Sequence, residues 1–375
     1  MQARKAVQTV NKNRALERNK KYPIFASVIH KIEIADFFSS NKPFIDVRSP
    51  GEYAKGHIPG AVNIPLFSDT ERAHIGTVYV QQSKEKATEL GYKYVNPKLS
   101  EFIVQSKKVG PEGKVAVHCW RGGMRSRLFA EYLHNNGFKD VSVIVGGYKA
   151  YRNYLLRTFD IPFDLKIVGG YTGSGKTYVI KQLQSIGFQV IDLESLAKHK
   201  GSAFGELENV TQPTVEQFEN NLFNAWRKLD YSQPIWLEDE SHNIGGVNIP
   251  MNLFNQMRAA TVFFLDIPLE ERAKHLVIEY ADSNPLLLAA SIGRLSKRLG
   301  GLNTTRAIQF LHEKNFYGVA LLMLGHYDKT YLKGMQFHLP GKVMLVPGNN
   351  TDPVANAQSI IQLYEQHQRN KTNPI

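Results

Sequence analysis

The segment Val115-Ala-Val-His-Cys-Trp-Arg-Gly-Gly-Met-Arg-Ser126 decides how this chain is read. Lys114 to Val117 is rich in β-branched residues and predicts a buried strand. Residues Ser126 to Asn135 carry Leu128, Phe129, Tyr132 and Leu133 at helical spacing, and the pattern stops at Gly137, where a C′ glycine belongs. Cys119, the only cysteine of 375 residues, therefore sits where a strand end meets a helix start. Gly122 and Gly123 let several backbone N–H groups turn toward one point. Those amides, the helix dipole and the guanidiniums of Arg121 and Arg125 favour a thiolate over a thiol. Cys119 is thus the predicted nucleophile, and Trp120, Arg121, Gly122, Gly123, Met124, Arg125 and Ser126 form its loop. A lone cysteine is more often a small buried hydrophobe, but Arg, Gly, Gly and Arg are poor neighbours for a core residue.

The length suits two domains, each with its own core. No apolar run approaches a membrane span, and the basic N-terminus lacks the apolar stretch of a secretion signal, so a soluble cytoplasmic protein is expected. One cysteine excludes an internal disulfide framework and fits a reducing compartment. A formal charge of +12 and a pI near 9.5 point to a polyanionic partner, although simple solubility would also use such charge. Residues 1–21 hold Arg4, Lys5, Lys12, Arg14, Arg18, Lys20 and Lys21 against the single acid Glu17. They read either as a basic arm for nucleic acid or as a frayed leader.

A short helix is predicted around Ile34 to Phe38. The stretch Lys42 to Pro65, the cysteine loop and Val145-Gly-Gly-Tyr-Lys-Ala-Tyr151 follow in order, and together they resemble the rhodanese family. The resemblance covers Tyr22 to Tyr154 and implies a parallel α/β sheet with the cysteine loop at the carboxyl ends of its strands. Asp46, Arg48 and His57 lie near turn signals within it and read first as structural hydrogen-bonding residues. One departure bears on chemistry. Sulfurtransferases of this fold have four residues between cysteine and arginine, whereas Trp120 to Met124 make five. His-Cys-x5-Arg is also the signature of phosphatases that work through phosphocysteine, and the wider loop suits a tetrahedral phosphate-like group.

A second domain is expected from about residue 158. Leu165-Lys-Ile-Val168 predicts a buried strand leading into Gly170-Tyr-Thr-Gly-Ser-Gly-Lys-Thr177 and then a helix through Leu183 to Ile186. This is a G-x4-G-K-T phosphate-binding loop in its required strand–turn–helix setting. Gly170, Gly173, Ser174, Gly175, Lys176 and Thr177 are its predicted phosphate-binding residues, with Thr177 able to take a magnesium ion. Pro234 to Ser241 predicts a strand ending in carboxylates, of which Glu238 and Glu240 are candidates for the loop's acidic partner or, alternatively, a solvated strand end. Thr261 to Pro268 and Lys342 to Pro347 predict further strands. Between them lie helical stretches with basic clusters, first Arg272 and Lys274, then Arg294, Lys297 and Arg298. The polar tail from His367 is expected to be mobile. The fold class is therefore α/β, with a rhodanese-like parallel-sheet domain (22–157) after the basic arm, and then a P-loop NTPase-like domain with C-terminal helices (158–375).

The order of the two domains resembles the bacterial tRNA 2-selenouridine synthase family. The match is carried by His118 to Ser126, Gly169 to Thr177, Asp192 to Gly205, Gln212-Pro213, Phe218-Glu219 and Glu238 to Ser241. Lys200 departs from it, standing where arginine is expected; it keeps the charge but loses a bidentate fork. The resemblance implies a substrate tRNA carrying 2-thiouridine at the wobble position. It further implies S-alkylation by geranyl diphosphate, then replacement of the S-geranyl group with selenium from selenophosphate. Selenophosphate and geranyl diphosphate are co-substrates in this reading. No tightly bound cofactor and no resident metal are expected, and an enzyme supplying selenophosphate is an admissible partner. The P-loop would stabilise the leaving diphosphate, the Cys119 loop would handle selenophosphate, and Arg294, Lys297 and Arg298 are the candidates for binding tRNA. A phosphatase–kinase fusion acting on small phosphorylated molecules, and a non-catalytic sensor, are the alternatives.

Overall fold

The computed structural model of the chain describes residues 29–199, 211–280, 285–335 and 341–372. The basic arm (1–21) and Lys200 lie outside the described residues. The chain folds as two compact units: one contains Gly60–Tyr151 and the chain up to Tyr53, the other Ala54–Pro59 and the chain from Arg152. The segment around His57 thus counts with the second unit.

The first unit runs β1 (His30–Ile32), α1 (Ile34–Ser39), β2 (Phe44–Asp46), α2 (Pro50–Lys55), β3 (Val62–Asn63), α3 (Asp69–Gln81), α4 (Lys84–Val95), α5 (Leu99–Val109), β4 (Lys114–His118), α6 (Met124–Asn135), β5 (Asp140–Ile144) and α7 (Gly147–Thr158). Its five strands form a sheet of order β1-β5-β4-β2-β3, with every neighbouring pair parallel. The central strand β4 is buried from Val115 to His118, as a parallel sheet covered on both faces requires. Ile45, Val115, Val117, Phe129, Leu133, Phe138 and Val141 belong to one core. Helix α6 begins at Met124 rather than at Ser126, because the Gly123 carbonyl already accepts the Arg127 amide at 3.1 Å. It ends as expected: Gly137 N–H bonds to His134 O and Phe138 N–H to Leu133 O, a Schellman closure.

The second unit continues with β6 (Leu165–Gly170), α8 (Lys176–Ser185), β7 (Gln189–Ile191), α9 (Leu193–Ala197), α10 (Val215–Trp226), β8 (Ile235–Glu238), β9 (Asn243–Ile244), β10 (Val247–Asn248), α11 (Met251–Ala259), β11 (Thr261–Asp266), α12 (Leu269–Tyr280), α13 (Pro285–Arg294), α14 (Ser296–Leu299), α15 (Gly301–His312), α16 (Phe316–Met335), β12 (Val343–Pro347) and α17 (Pro353–Thr372). Strands β12-β11-β6-β8-β7 form a second parallel sheet with β6 at its centre. Val179, Ile180 and Leu183 of α8 share a core with Val168, Trp236, Phe263 and Ile360. Helices α13 to α16 hold a core of their own from Leu288, Ile292, Leu295, Leu299, Leu311 and Met323. The tail from His367, expected to be mobile, instead completes α17 to Thr372. Apolar anchors at Ala357 and Ile360 seat that helix, and its polar end simply extends it. Among the described residues no helix is long and apolar enough to cross a membrane.

Candidate active sites

Cys119 follows β4 directly and is 3% exposed. Its carbonyl accepts the Tyr148 amide and that of Trp120 accepts the Lys149 amide, each at 2.9 Å, so the first turn of α7 holds the loop. Gly122 makes the turn at φ 61°, where a Cβ would lie 2.5 Å from Ile144 O and 2.9 Å from Gly146 N. Only glycine permits that approach. Below the loop, Arg48 donates from Nε and Nη2 to the Asp46 carboxylate and lies 3.8 Å from the Tyr148 ring centroid. Asp46 and Arg48 are buried, 0% and 1% exposed, and serve the architecture. Burial pushes the Asp46 carboxyl up, but His118 and Arg48 outweigh it and hold the group below its usual range.

The thiol itself is pulled below its ordinary value. Burial opposes this, but the Ser126 side chain, the Arg125 charge and the amides of Ser126 and Arg121 prevail. Cys119 Sγ lies 3.3 Å from Ser126 Oγ. Arg125 Nη1 donates to Glu52 Oε2 at 3.0 Å, which fixes its guanidinium, and Glu52 also accepts the Ser49 amide at 3.1 Å. The Arg121 side chain is exposed, so Arg121 acts on the sulfur through its backbone N–H rather than through the guanidinium that the sequence suggested. Trp120 and Met124, in the same loop, are exposed, at 37% and 44%.

In the second unit Gly170 to Thr177 link β6 to α8, and Gly175 caps the helix at φ 79°, a left-handed conformation. Lys176 Nζ donates to Gly170 O at 2.9 Å. Ser174 is 1% exposed and its Oγ has no hydrogen-bond partner among the described residues. Thr177 Oγ1 donates at 2.7 Å to Glu194, an acid the sequence reading did not single out. Glu238 and Glu240 lie at the end of the neighbouring strand, 0% and 8% exposed. Glu238 Oε2 accepts the Leu193 amide at 3.0 Å. Burial and then the charges of Asp192 and Glu194 push the Glu238 carboxyl well up. Burial, then Glu194, push Glu240 up to about 8 against the pull of Lys176. Asp239 between them accepts from Arg258 and, at 2.9 Å, from Tyr331 Oη.

Tyr171 meets Phe264 and Tyr331 with ring centroids 5.0 Å and 5.9 Å away, and Lys176 Nζ lies 5.6 Å from the Tyr331 centroid. An aromatic face therefore borders the P-loop lysine. Arg272, from the first basic cluster, is not a surface charge. It is 3% exposed, forks onto Asp328 with two 2.8 Å bonds and donates to Thr172 O of the loop at 3.2 Å. Arg294, Lys297 and Arg298 are all exposed. Among the described residues no group of three or more His, Cys, Asp or Glu side chains is arranged to hold a metal.

The class this defines is a rhodanese-type domain with a cysteine loop joined to a P-loop domain. Residues 32–154 match the rhodanese-like domain family, and residues 163–331 match the tRNA 2-selenouridine synthase AAA domain. Proteins named tRNA 2-selenouridine synthase are similar over most of the chain. That of Bdellovibrio bacteriovorus is 39% identical over 272 residues, 70% of this chain and 69% of the relative. That of Nitrosomonas europaea is 36% identical, covering 74% and 73%, and that of Shewanella loihica 34% identical, covering 82% and 90%. The chain belongs to the tRNA 2-selenouridine synthase family.

Proposed function

We infer that this protein is a tRNA-modifying transferase. It converts wobble 2-thiouridine to 2-selenouridine through an S-geranyl intermediate, using geranyl diphosphate and then selenophosphate. The reading is carried by one observation: a chain of this family joins a complete P-loop to a cysteine whose ionisation is favoured by loop amides and a clamped arginine.

In the alkylation, the sulfur of 2-thiouridine forms a bond to C1 of the geranyl group. The C1–O bond breaks with its electron pair on diphosphate, and the N3 proton leaves to water. The P-loop amides, the buried Ser174 hydroxyl and Lys176 would receive the diphosphate. Burial and the neighbouring acids disfavour the charged forms of Glu238 and Glu240, which lessens the negative charge that an arriving anion meets beside Lys176. The rings of Tyr171 and Tyr331, with the buried Phe264 against them, would take the apolar chain and face the positive charge that develops on it. Thr177 and Glu194 are oxygen donors that suit magnesium, which when bound neutralises diphosphate charge. For the second step, Cys119, the amides of its loop and Arg125 would receive selenophosphate, and a selenophosphate-supplying enzyme is a proposed partner. Exposed Arg294, Lys297 and Arg298 are proposed to contact tRNA phosphates.

The test is the nucleoside composition of tRNA from cells lacking the gene. Loss of both S-geranyl-2-thiouridine and 2-selenouridine, with accumulation of 2-thiouridine, is expected. An unchanged composition would refute the assignment.

A further inference from the structure

Taking selenophosphate as the donor proposed above, the oxidation state of selenium restricts what Cys119 can do with it. Selenium enters as selenide and leaves in 2-selenouridine as selenide. Placing it on Cys119 as a perselenide would oxidise it by two electrons and require a later reduction, and the chain has no second thiol to serve either step. The geometry points to phosphoryl transfer instead: Cys119 cleaves the phosphorus–selenium bond and carries the phosphoryl group as phosphocysteine.

The loop is built for a tetrahedral anion. Five residues separate Cys119 from Arg125, the amides of Arg121 and Ser126 point at the sulfur, and Glu52 holds the Arg125 guanidinium at 3.0 Å. Those donors match the oxygens of a phosphoryl group under in-line attack. The leaving group fits as well. Selenium leaves as hydroselenide with a proton that selenophosphate itself carries, and hydroselenide is a weak base, so the protein need supply no proton. The carboxyls packed near the loop could not supply one: Asp46 is paired with Arg48 and Glu52 with Arg125.

The Cys119 thiolate attacks phosphorus, the S–P bond forms, and the P–Se bond breaks with its pair on selenium. The hydroselenide released adds at C2 of the S-geranylated base and geranylthiolate leaves, while the hydroselenide proton moves to N3. Water then cleaves the S–P bond. Its oxygen goes to phosphate, one proton goes to geranylthiol, and the thiolate returns. No atom is oxidised or reduced. Ser126 Oγ lies 3.3 Å from Sγ and at rest donates to the Gly123 carbonyl at 3.2 Å; turned to the sulfur as it leaves in that last step, this O–H makes Ser126 a catalytic residue for dephosphorylation.

The experiment mixes full-length protein with selenophosphate, with and without S-geranylated tRNA, followed by rapid quench, peptide mass mapping and phosphorus NMR. Wild type should release one selenide per Cys119 in a burst and carry phosphate transiently on that residue. Ser126→Ala should accumulate the phosphorylated form, with dephosphorylation slowed about a hundredfold as for loss of one oxyanion donor. Ser126→Thr, which keeps the hydroxyl, should not accumulate it. Cys119→Ala should neither label nor release selenide. Selenium without phosphorus on Cys119, or full-rate selenation with no phosphoprotein in wild type or Ser126→Ala, would overturn the step alone. Failure of wild type to consume selenophosphate in the presence of S-geranylated tRNA would remove the donor assignment and this step with it.

Discussion

Glu240→Gln should flatten the fall in stability of the ligand-free protein between 4.5 and about 8 on the pH scale. Glu240 is 8% exposed and its carboxyl is pushed from 4.5 up to about 8, first by burial and next by Glu194. The folded state therefore holds a proton that the unfolded chain releases near the usual glutamate value. Stability from this group is fully present below 4.5 and is lost as pH rises through about 8. Between those limits one group changes unfolding free energy by about 1.4 kcal/mol per pH unit. From about pH 6 to about pH 8 wild type should lose about 2 kcal/mol through Glu240, which is half ionised at the upper end, with Glu238 adding in the same direction. Glutamine keeps the shape and an acceptor oxygen but cannot ionise. Urea unfolding with a chelator present, at several pH values across that window, gives both profiles. The two curves should diverge by about 2–3 kcal/mol, with the variant the more stable at the alkaline end. Parallel curves would show that Glu240 is already ionised and that the carboxyls do cancel the Lys176 charge.

Arg272→Ala leaves the Asp328 carboxylate and the Thr172 and Ile267 carbonyls without their donor, and should cost about 3 kcal/mol of stability; a loss below about 1 kcal/mol by denaturant titration would contradict the buried pairing. Tyr171→Ala should weaken geranyl diphosphate about tenfold, as loss of a half-buried aromatic contact does, while leaving inorganic diphosphate unchanged in calorimetry. Equal losses for both ligands would remove the aromatic seat. The triple variant Arg294→Ala/Lys297→Ala/Arg298→Ala should flatten the log–log salt slope of tRNA binding by about two units. No change there, with a large one on deleting Met1 to Lys20, would move the tRNA site to the arm.

What the sequence reveals here is local. β4, β6 and β11 are short apolar runs, and both anion loops are contiguous motifs, so their strand–turn–helix settings can be read without tertiary knowledge. Partners brought from elsewhere in the chain are another matter. Glu194 reaches Thr177 from the start of α9, 17 residues on, although its only sequence signal is an acid following the β7 strand. Glu52 reaches Arg125 across 73 residues. Arg272 and Lys274 form one basic cluster in sequence, yet α12 turns Arg272 into the interior against Asp328 and leaves Lys274 outside with Glu271. Helical phase, not composition, separates them. Phe264 of β11 and Tyr331 of α16 come together with Tyr171 only because the fold brings both elements beside the end of β6.

The central claim is that two cradles in one chain divide two half-reactions, and paired loss-of-function variants test it most directly. Purified Lys176→Ala and Cys119→Ala are each given selenophosphate, geranyl diphosphate and tRNA carrying either 2-thiouridine or its S-geranyl derivative, and the nucleosides are quantified by mass spectrometry. Lys176→Ala should fail on 2-thiouridine tRNA and make 2-selenouridine from the S-geranylated one. Cys119→Ala should geranylate the first tRNA and stop there with both. Selenouridine formed by Cys119→Ala at near wild-type rate, or no rescue of Lys176→Ala by pre-alkylated tRNA, would contradict the account.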